Sequence, residues 1–158
     1  MTTITTKRFD QEMKAQLSVL KSGYHARELS EKDQSELPEE IYAIEAEDTM
    51  VGYAVIWEYA SGKSLIQKAE QDYFTQGEKH LEKDFYIDIK NKTNIIFIEA
   101  LDVLKEYERQ GYAAYFIDWL KAQHPKQKMY VYTIGRSKNF WYKQEFEVVG
   151  NTLWMSYN

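Results

Sequence analysis

The sequence contains no cysteine among its 158 residues. Disulfide bonds within the chain, zinc sites built from thiolates and a cysteine nucleophile are therefore excluded. Three histidines are present, His25, His80 and His124, but they are scattered and lack the spacing of metal ligands. The sequence consequently predicts no metal site.

Long apolar runs and clusters of basic residues are also missing. No apolar stretch approaches the ~20 residues of a membrane span, and the start, MTTITTKRF, lacks the apolar core of a signal peptide. The formal net charge is −5, and Lys and Arg form no run that would attract a polyanion. We therefore expect a cytoplasmic protein that binds neither membranes nor nucleic acids.

The composition that remains is that of a globular chain rich in aromatic residues. Hydrophobic residues make up 44% and aromatic residues 15% of the sequence, which favours sheets and a sizeable core. The length predicts a single domain over residues 1–158. The apolar patterns predict these elements: strands at Ile4–Phe9, Ile41–Ala46, Val51–Tyr59, Ile95–Leu104 and Lys128–Ile134; helices at Asp10–Gly23, Ser30–Pro38, Tyr112–Gln123 and Ser137–Glu145; and a hairpin at Glu147–Tyr157.

The pattern is looser between Ala60 and Asn94. Leu65, Ala69 and Tyr73 suit a helix that Gly77 would end, and Tyr86–Ile89 predicts a short strand. A segment of this length between two sheet strands is either functional or a structural cover for an apolar patch. The sequence leaves both interpretations open.

The most informative stretch is Ile95–Leu120, where an apolar strand leads through a glycine turn into an apolar helix. The strand is apolar on both faces except for Glu99 and Asp102, as expected for a central strand. Backbone N–H groups at the helix start lack helical partners and predict an anion site; they belong to Gln110, Gly111, Tyr112, Ala113 and Ala114. The alternative is a plain glycine turn that starts a core helix.

The segment Leu101–Ala114, LDVLKEYERQGYAA, together with the order of elements, resembles the GCN5-related N-acetyltransferase (GNAT) family. The family's motif for binding the acyl-CoA pyrophosphate consists of Arg or Gln, any two residues, Gly, any residue, and then Gly or Ala. Gly111 and Ala113 fit the glycine and small positions, and Val103 and Tyr107 fit the valine and aromatic residue that often precede them. Glu108 stands where the family has Arg or Gln, and would place negative charge beside a pyrophosphate.

Two weaker matches extend the resemblance along the chain. Val51–Ala54, VGYA, looks like the family's third strand, and Phe140–Gly150 is similar to its closing pattern of Phe-Tyr, a short turn and Gly-Phe. Glu145 replaces the usual glycine of that pattern, and Ile134 stands near a position that is often asparagine. The resemblance thus covers the chain apart from residues 60–94.

The resemblance implies an α/β fold with a mixed central sheet of about seven strands, helices on both faces and two splayed parallel strands at the centre. Residues 60–94 would be an insertion in this single domain. It also implies transfer of an acetyl (acyl) group from acetyl-CoA directly to a primary amine, without a covalent enzyme intermediate or a metal. The coenzyme would contact Val103, Leu104, Arg109, Gln110, Gly111, Tyr112, Ala113 and Ala114, with the backbone near Val103 donating to the thioester carbonyl.

Two side chains are candidates for proton transfer. A substrate amine with a pKa near ~10.4 needs a base at neutral pH, and Glu99 on the central strand is the first candidate, followed by Asp102. Glu99 is otherwise a carboxylate at the solvent rim or one paired with a basic group. The family's usual acid is the tyrosine of its Phe-Tyr pair; Trp141 holds that place here, so Tyr142 is the candidate. Trp141 is expected either to pack in the core or to line the thioester channel.

The acceptor is not decoded by the sequence, although Tyr24–Pro38 and Ala60–Asn94 are the segments expected to contact it. An excess of acidic residues favours an amine-bearing small molecule or a protein amine. Homodimers are common among the relatives that the chain resembles, which leaves a homodimer open, but the sequence indicates no surface for it. A different class stays open, a non-catalytic acyl-CoA-binding or regulatory module, as does a plain interaction domain in which the Gly111 loop would be buried.

Overall fold

A computed structural model describes residues 2–8, 15, 40–72, 82–133 and 137–158 of the chain. Several predictions lie outside the described residues: nearly all of the first predicted helix, the second predicted helix, and Tyr73, Gly77 and Ile134. His25 and His80 lie outside them as well.

The described residues form seven strands, four helices and a short 3₁₀ turn at Lys105–Tyr107. In chain order these are β1 (Thr2–Arg8), β2 (Glu40–Ala46), β3 (Thr49–Ser61), α1 (Gly62–Asp72), α2 (Lys83–Ile89), β4 (Thr93–Val103), α3 (Tyr112–Gln123), β5 (Met129–Tyr132), α4 (Lys138–Lys143), β6 (Glu147–Val148) and β7 (Trp154–Tyr157).

The described strands make one mixed sheet in the order β1-β2-β3-β4-β5-β7-β6. Neighbouring strands run antiparallel at β1–β2, β2–β3, β5–β7 and β6–β7, whereas β4 and β5 are parallel and pair from Ile96↔Met129 to Ile98↔Val131. This confirms the predicted fold class of an α/β protein with about seven strands and a parallel pair at the centre. The splay of that pair stays a prediction.

The chain divides into two compact units. The first unit contains Met1–Ile56 and Glu99–His124, and the second contains Trp57–Ile98 and Pro125–Asn158. The chain crosses between the units inside β3 and inside β4, so each of these two long strands contributes to both.

The first unit is built on the predicted hairpin of β2 and β3. A two-residue turn joins the strands, and both of its residues, Glu47 and Asp48, have positive φ values of 51° and 64°. This is the left-handed turn geometry whose twist matches that of paired strands. On β2, Tyr42 contacts two residues of α3, with ring centroids 6.1 Å from Phe116 and 5.6 Å from Trp119. These contacts hold α3 against the hairpin.

The second unit has its own aromatic core. Phe85 of α2 stacks on Trp154 of β7 with ring centroids 4.0 Å apart, and Phe97 of β4 lies 5.7 Å from the same indole. Aromatic contacts of this kind contribute beyond the area they bury. The buried members of this cluster are Leu65, Ala69, Phe85, Ile89, Ile95, Phe97, Tyr130, Val149 and Trp154.

The strand predicted at Tyr86–Ile89 is wrong, because these residues belong to the helix α2. Phe85 and Ile89, one helical turn apart, are both buried, while Ile87 between them is 57% exposed. A short segment such as YIDI, with three apolar residues and one aspartate, fits a strand or a helix equally well. Here the contacts of Phe85 and Ile89 with the second unit's core select the helix.

Asp88 fastens α2 to β5. Its Oδ2 accepts a hydrogen bond of 2.6 Å from the Tyr130 hydroxyl and one of 3.0 Å from Lys128 Nζ. Burial would raise the pKa of Asp88, but the hydrogen bonds from Tyr130 and Lys128 outweigh it and hold this pKa below its usual value. Burial and the Asp88 carboxylate raise the pKa of Tyr130. The three side chains therefore form a hydrogen-bonded group that has a structural role.

Candidate functional site

The end of β4 is held by three consecutive residues of β3. The Leu104 N–H donates to the Val51 carbonyl at 2.8 Å, and the Tyr53 hydroxyl donates to Asp102 Oδ2 at 2.7 Å. Between them, a Cβ added at Gly52 would lie 2.6 Å from the Asp102 carbonyl oxygen. Only a glycine lets the two backbones approach this closely, so the start of the loop that follows β4 is fixed in position.

The loop from Leu104 to Gly111 makes a tight turn before α3 begins. Its 3₁₀ turn is closed by a hydrogen bond of 2.8 Å from the Tyr107 N–H to the Leu104 carbonyl. Arg109 and Gly111 both adopt left-handed backbone conformations, with φ values of 64° and 85°. A non-glycine residue in this region costs roughly 1–2 kcal/mol, and such strain is concentrated at functional sites.

Contacts within the loop and along α3 hold this turn in place. The rings of Tyr107 and Tyr112 meet edge to face with centroids 6.3 Å apart. Gln110 Nε2 reaches the Glu106 carbonyl at 3.4 Å, and the Tyr115 hydroxyl donates to the Thr2 carbonyl at 3.0 Å. Both ends of the turn are therefore anchored.

The start of α3 is open. Gly111 is exposed, and a Cβ added there would meet no atom of the described residues within 4 Å. The first backbone bond of α3 runs from the Tyr115 N–H to the Gly111 carbonyl, so the N–H groups of Tyr112, Ala113 and Ala114 precede the helical ladder. These amides lie at the positive end of the helix dipole and are suited to bind an anion. Because Gly111 is exposed, the structure does not agree with the alternative of an interaction domain in which the Gly111 loop is buried.

Four of the predicted contact residues lie in this open turn or next to it, and their side chains differ in exposure. Arg109 and Gln110 are exposed, as is the neighbouring Glu108, whereas Ala113 and Ala114 are half-buried. The exposed Glu108 carboxylate sits in the solvent-facing part of the turn, where water screens its charge.

The backbone groups of Leu104 are both paired within the protein. Its N–H donates to Val51 and its carbonyl accepts from Tyr107. Val103 is half-buried at the last position of β4. Of the two predicted contacts at the end of β4, Leu104 therefore offers a ligand its side chain and not its backbone.

The two carboxylates predicted for proton transfer both lie on β4. Glu99 and Asp102 are half-buried. Asp102 accepts the hydrogen bond from Tyr53, which is fully buried. Sequence reasoning missed Tyr53, and the only signal was the presence of a tyrosine inside the VGYA segment.

Tyr142 lies in the second unit, on α4, and is 52% exposed. Trp141 beside it is buried, with ring centroids 5.0 Å from Phe140 and 4.9 Å from Phe146. The expectation that Trp141 packs in the core is confirmed. The predicted site residues from Glu99 to Ala114 therefore all belong to the first unit, whereas Tyr142 belongs to the second.

The end of α4 explains how a glutamate replaces glycine in the closing pattern. The Phe146 N–H donates to the Trp141 carbonyl and the Glu145 N–H to the Tyr142 carbonyl, both at 3.0 Å. This is the Schellman arrangement, in which the residue after the helix is left-handed and is usually glycine. Glu145 adopts that conformation with a φ of 69°. The turn geometry is kept although the usual residue is not.

Two other kinds of site are not found in the described residues. Among the described residues, no group of three or more His, Asp or Glu side chains is arranged to hold a metal ion. None of the helices in the described part of the chain is both long enough and apolar enough to cross a membrane.

Comparisons with known proteins add a likeness in fold. No protein-family model and no curated protein sequence matches the chain. Among solved structures, the N-acetyltransferase YlbP of Bacillus subtilis in complex with coenzyme A is similar over 100% of this chain and 97% of its own, with 17% identity and a TM-score of 0.64. The chain has the fold of the GNAT acetyltransferases.

Other GNAT-fold structures match over nearly the full chain. An agmatine N-acetyltransferase variant in its apo form is similar over 98% of this chain and 99% of its own, with 9% identity and a TM-score of 0.54. The KacTA–DNA complex is similar over 98% of this chain and 92% of that chain, with 15% identity and a TM-score of 0.56. At these identities the likeness establishes the GNAT fold, which agrees with the predicted resemblance.

Proposed function

We propose that the chain is an N-acetyltransferase that transfers an acetyl group from acetyl-CoA directly to a primary amine. The observation that carries this proposal is the open start of α3. Gly111 is left-handed there, and no atom in the described part of the chain lies within 4 Å of an added Cβ. The GNAT fold of the chain supports it, and the similar YlbP structure contains coenzyme A.

The proposed coenzyme contacts follow from the loop. The amides of Gln110, Gly111, Tyr112, Ala113 and Ala114 would bind the pyrophosphate, because they gather at the positive end of a helix. The exposed guanidinium of Arg109 would add positive charge beside it. Leu104 would contribute through its side chain, since its backbone groups are used by Val51 and Tyr107.

The proposed chemistry uses the backbone at the end of β4. The Val103 N–H would donate to the thioester carbonyl and stabilise the negative charge that develops when the amine attacks. Glu99, four residues earlier on the same strand, would accept the amine proton directly or through water. Tyr142 is proposed to protonate the leaving thiolate, whose pKa near ~8.5 calls for only modest help.

The proposed acceptor is a cationic small molecule or a protein amine. The net charge of −5 favours a substrate that is positively charged before it loses its proton. The KacTA structure is a complex with DNA, but the acidic balance of this chain makes an amine the better proposal here.

Calorimetric titration with acetyl-CoA, combined with an assay of free thiol over a panel of amines, tests the proposal. We expect binding and amine-dependent thiol release. Glu99→Gln is expected to lower kcat by about 10²-fold or more and Tyr142→Phe by roughly tenfold, with acetyl-CoA binding retained. Absence of any acetyl-CoA binding would refute the proposal.

A non-catalytic acyl-CoA-binding module is the second candidate, and the exposed Glu108 in the turn favours it. A carboxylate near a pyrophosphate weakens binding by roughly 0.3–1 kcal/mol at an exposed site. Glu108→Gln should therefore tighten binding of acetyl-CoA about two- to fivefold, while Glu147→Gln on the exposed strand β6 should not. Binding with no thiol release on any amine would identify the module.

A further inference from the structure

The second unit gathers lysines that are far apart in the sequence. Three short segments of this unit, residues 61–64, 90–94 and 125–128, read SGKS, KNKTN and PKQK, and they contain five lysines and no Asp or Glu. Along the chain these lysines form no basic run, so the sequence pattern does not reveal a positive surface. The five side chains are called the lysine patch: Lys63, Lys90, Lys92, Lys126 and Lys128.

Hydrogen bonds join the three segments to one another. The Gly62 N–H donates to the Lys92 carbonyl at 2.9 Å, which links the first segment to the second. Gln127 Nε2 donates to the Asn94 carbonyl at 3.2 Å, which links the second to the third. The segments therefore adjoin where β3 ends and where β4 and β5 begin, and these three strands are successive in the sheet.

Most of the lysine patch is exposed to solvent. The side chain of Lys128 is 16% exposed and pairs with Asp88 at 3.0 Å, whereas the four other members are exposed. Because the three segments supply no carboxylate of their own, positive charge is concentrated here in a chain whose net charge is −5. Local concentration of one sign of charge attracts a partner of the opposite sign.

The chemistry of the patch favours carboxylates as the partner groups. The three segments contain no arginine, which recognises phosphates by paired hydrogen bonds, and no aromatic residue on which a base could stack. They also contain no large apolar residue that would insert into a membrane. The acidic remainder of the chain repels a long polyanion, whereas a short acidic segment meets the patch alone.

We propose that the lysine patch is a docking surface for an acidic segment of a partner protein, that is, a short stretch rich in Asp and Glu. Lysine is a hydrated point charge on a flexible stem, so its contacts with carboxylates here stay exposed to water. Contacts of this kind govern the rate of encounter and weaken as salt is added. Docking requires neither acetyl-CoA nor turnover, so this proposal goes beyond the acetyltransferase function and does not rest on it.

Fluorescence anisotropy with labelled decaglutamate as the probe tests the proposal. We expect the double variant Lys90→Gln and Lys126→Gln to bind the peptide about tenfold more weakly than the wild type, because two exposed charges are lost. Raising the salt from about 50 mM to about 300 mM should weaken binding by the wild type about tenfold or more. The variant keeps the bond from Lys128 to Asp88 and should unfold at the wild-type temperature.

The double variant Lys138→Gln and Lys143→Gln is the matched control. It removes the same charge from α4 in the same unit and should bind decaglutamate like the wild type. Carbodiimide coupling of the peptide carboxylates to lysine amines locates the bound peptide. Mass spectrometry should find the links on Lys90, Lys92 and Lys126.

The contrary outcomes are distinct from one another. Equal affinity in the patch variant and the wild type would overturn the proposal, as would links confined to lysines outside the patch. Tighter binding of an oligonucleotide of equal charge, lost in the patch variant, would overturn it in favour of a nucleic-acid surface. Tighter binding of vesicles containing phosphatidylserine would overturn it in favour of a membrane surface. None of these results depends on thiol release, which tests the acetyltransferase function separately.

Discussion

A glycine stands at the start of both α1 and α3, Gly62 as the first residue of α1 and Gly111 as the N-cap of α3, but the two helix starts differ in what surrounds them. At the start of α1, the Gly62 N–H donates to the Lys92 carbonyl at 2.9 Å and the Lys63 N–H donates to Ser61 Oγ at 3.1 Å. A Cβ on Gly62 would lie 2.0 Å from the Ile89 carbonyl oxygen. At the start of α3, a Cβ on Gly111 would meet no atom of the residues that the structure describes within 4 Å.

This difference separates a structural glycine from a candidate ligand-binding glycine. The amides at the start of α1 already have protein partners, and the space beside Gly62 is filled by α2. The amides at the start of α3 face a space that the first unit leaves open. A helix start is therefore informative about binding only when its surroundings are known, because the dipole and the glycine are common to both.

The largest expected effect is the loss of stability in Gly62→Ala. The added methyl group would overlap the Ile89 carbonyl, which belongs to backbone and cannot turn aside, so we expect a cost of about 3 kcal/mol or more. Gly111→Ala should cost only about 1–2 kcal/mol, from its left-handed conformation. Urea unfolding of both variants gives the comparison, and equal costs would break it.

The next effect concerns binding. Gly111→Ala projects a methyl group into the open space, and we expect its affinity for acetyl-CoA to fall by about tenfold, which is about 1.4 kcal/mol. Glu145→Gly, a change in the second unit, serves as the control and should bind like the wild type. Calorimetry on samples shown to be folded measures both. Unchanged affinity in Gly111→Ala would mean that the open space is not the phosphate site.

Glu145→Gly is itself expected to stabilise the protein by about 1 kcal/mol. Glycine adopts the left-handed conformation of this helix end without the penalty that a side chain incurs. Glu145→Ala retains that penalty and should differ from the wild type by only a few tenths of a kcal/mol. Thermal unfolding of the two variants decides whether the Schellman geometry is strained; a destabilised glycine variant would contradict it.

The smallest expected effect is a loss of stability at alkaline pH. It concerns the contact between α1 and α2 in the second unit. Burial and the neighbouring Glu70 raise the pKa of Tyr86 to about 12, and its hydroxyl lies 3.4 Å from Glu70 Oε1. Since the unfolded chain loses this proton near pH ~10, the contribution of Tyr86 to the free energy of unfolding is present below pH ~10 and declines up to pH 12.

Tyr86→Phe should remove the part of the alkaline decline in the free energy of unfolding that comes from Tyr86. Urea unfolding of the wild type and the variant at pH 8 and at pH 11.5 measures it, and the difference between the two proteins should shrink as the pH rises. A difference that stays constant over this interval would show that Tyr86 titrates alike in the folded and unfolded states.

Much of this fold was predictable from local patterns. The apolar runs Val51–Tyr59 and Ile95–Leu104 predicted the long strands, and the helix Tyr112–Gln123 was predicted with the bounds that the structure has. The glycine turn before it was also located correctly. These features depend on residues that are close in the sequence, and local propensity then agrees with the final fold.

What the sequence did not reveal depends on distant contacts. The helix at Lys83–Ile89 is selected by packing of Phe85 on Trp154, which is 69 positions away. The bond from Tyr53 to Asp102 spans 49 positions. Neither partner is marked by a local signal, so periodicity alone could not pair them.

The parallel pairing of β4 with β5 also governs how the chain is made. Ile96 pairs with Met129, 33 positions later, so β4 is synthesised before this neighbour exists. The run Ile95–Ile98, fully or almost fully buried in the native state, stays a bare apolar strand edge until translation has passed residue 131. A chain truncated between these points should therefore aggregate and depend on chaperones, even though most of its sheet has already been synthesised.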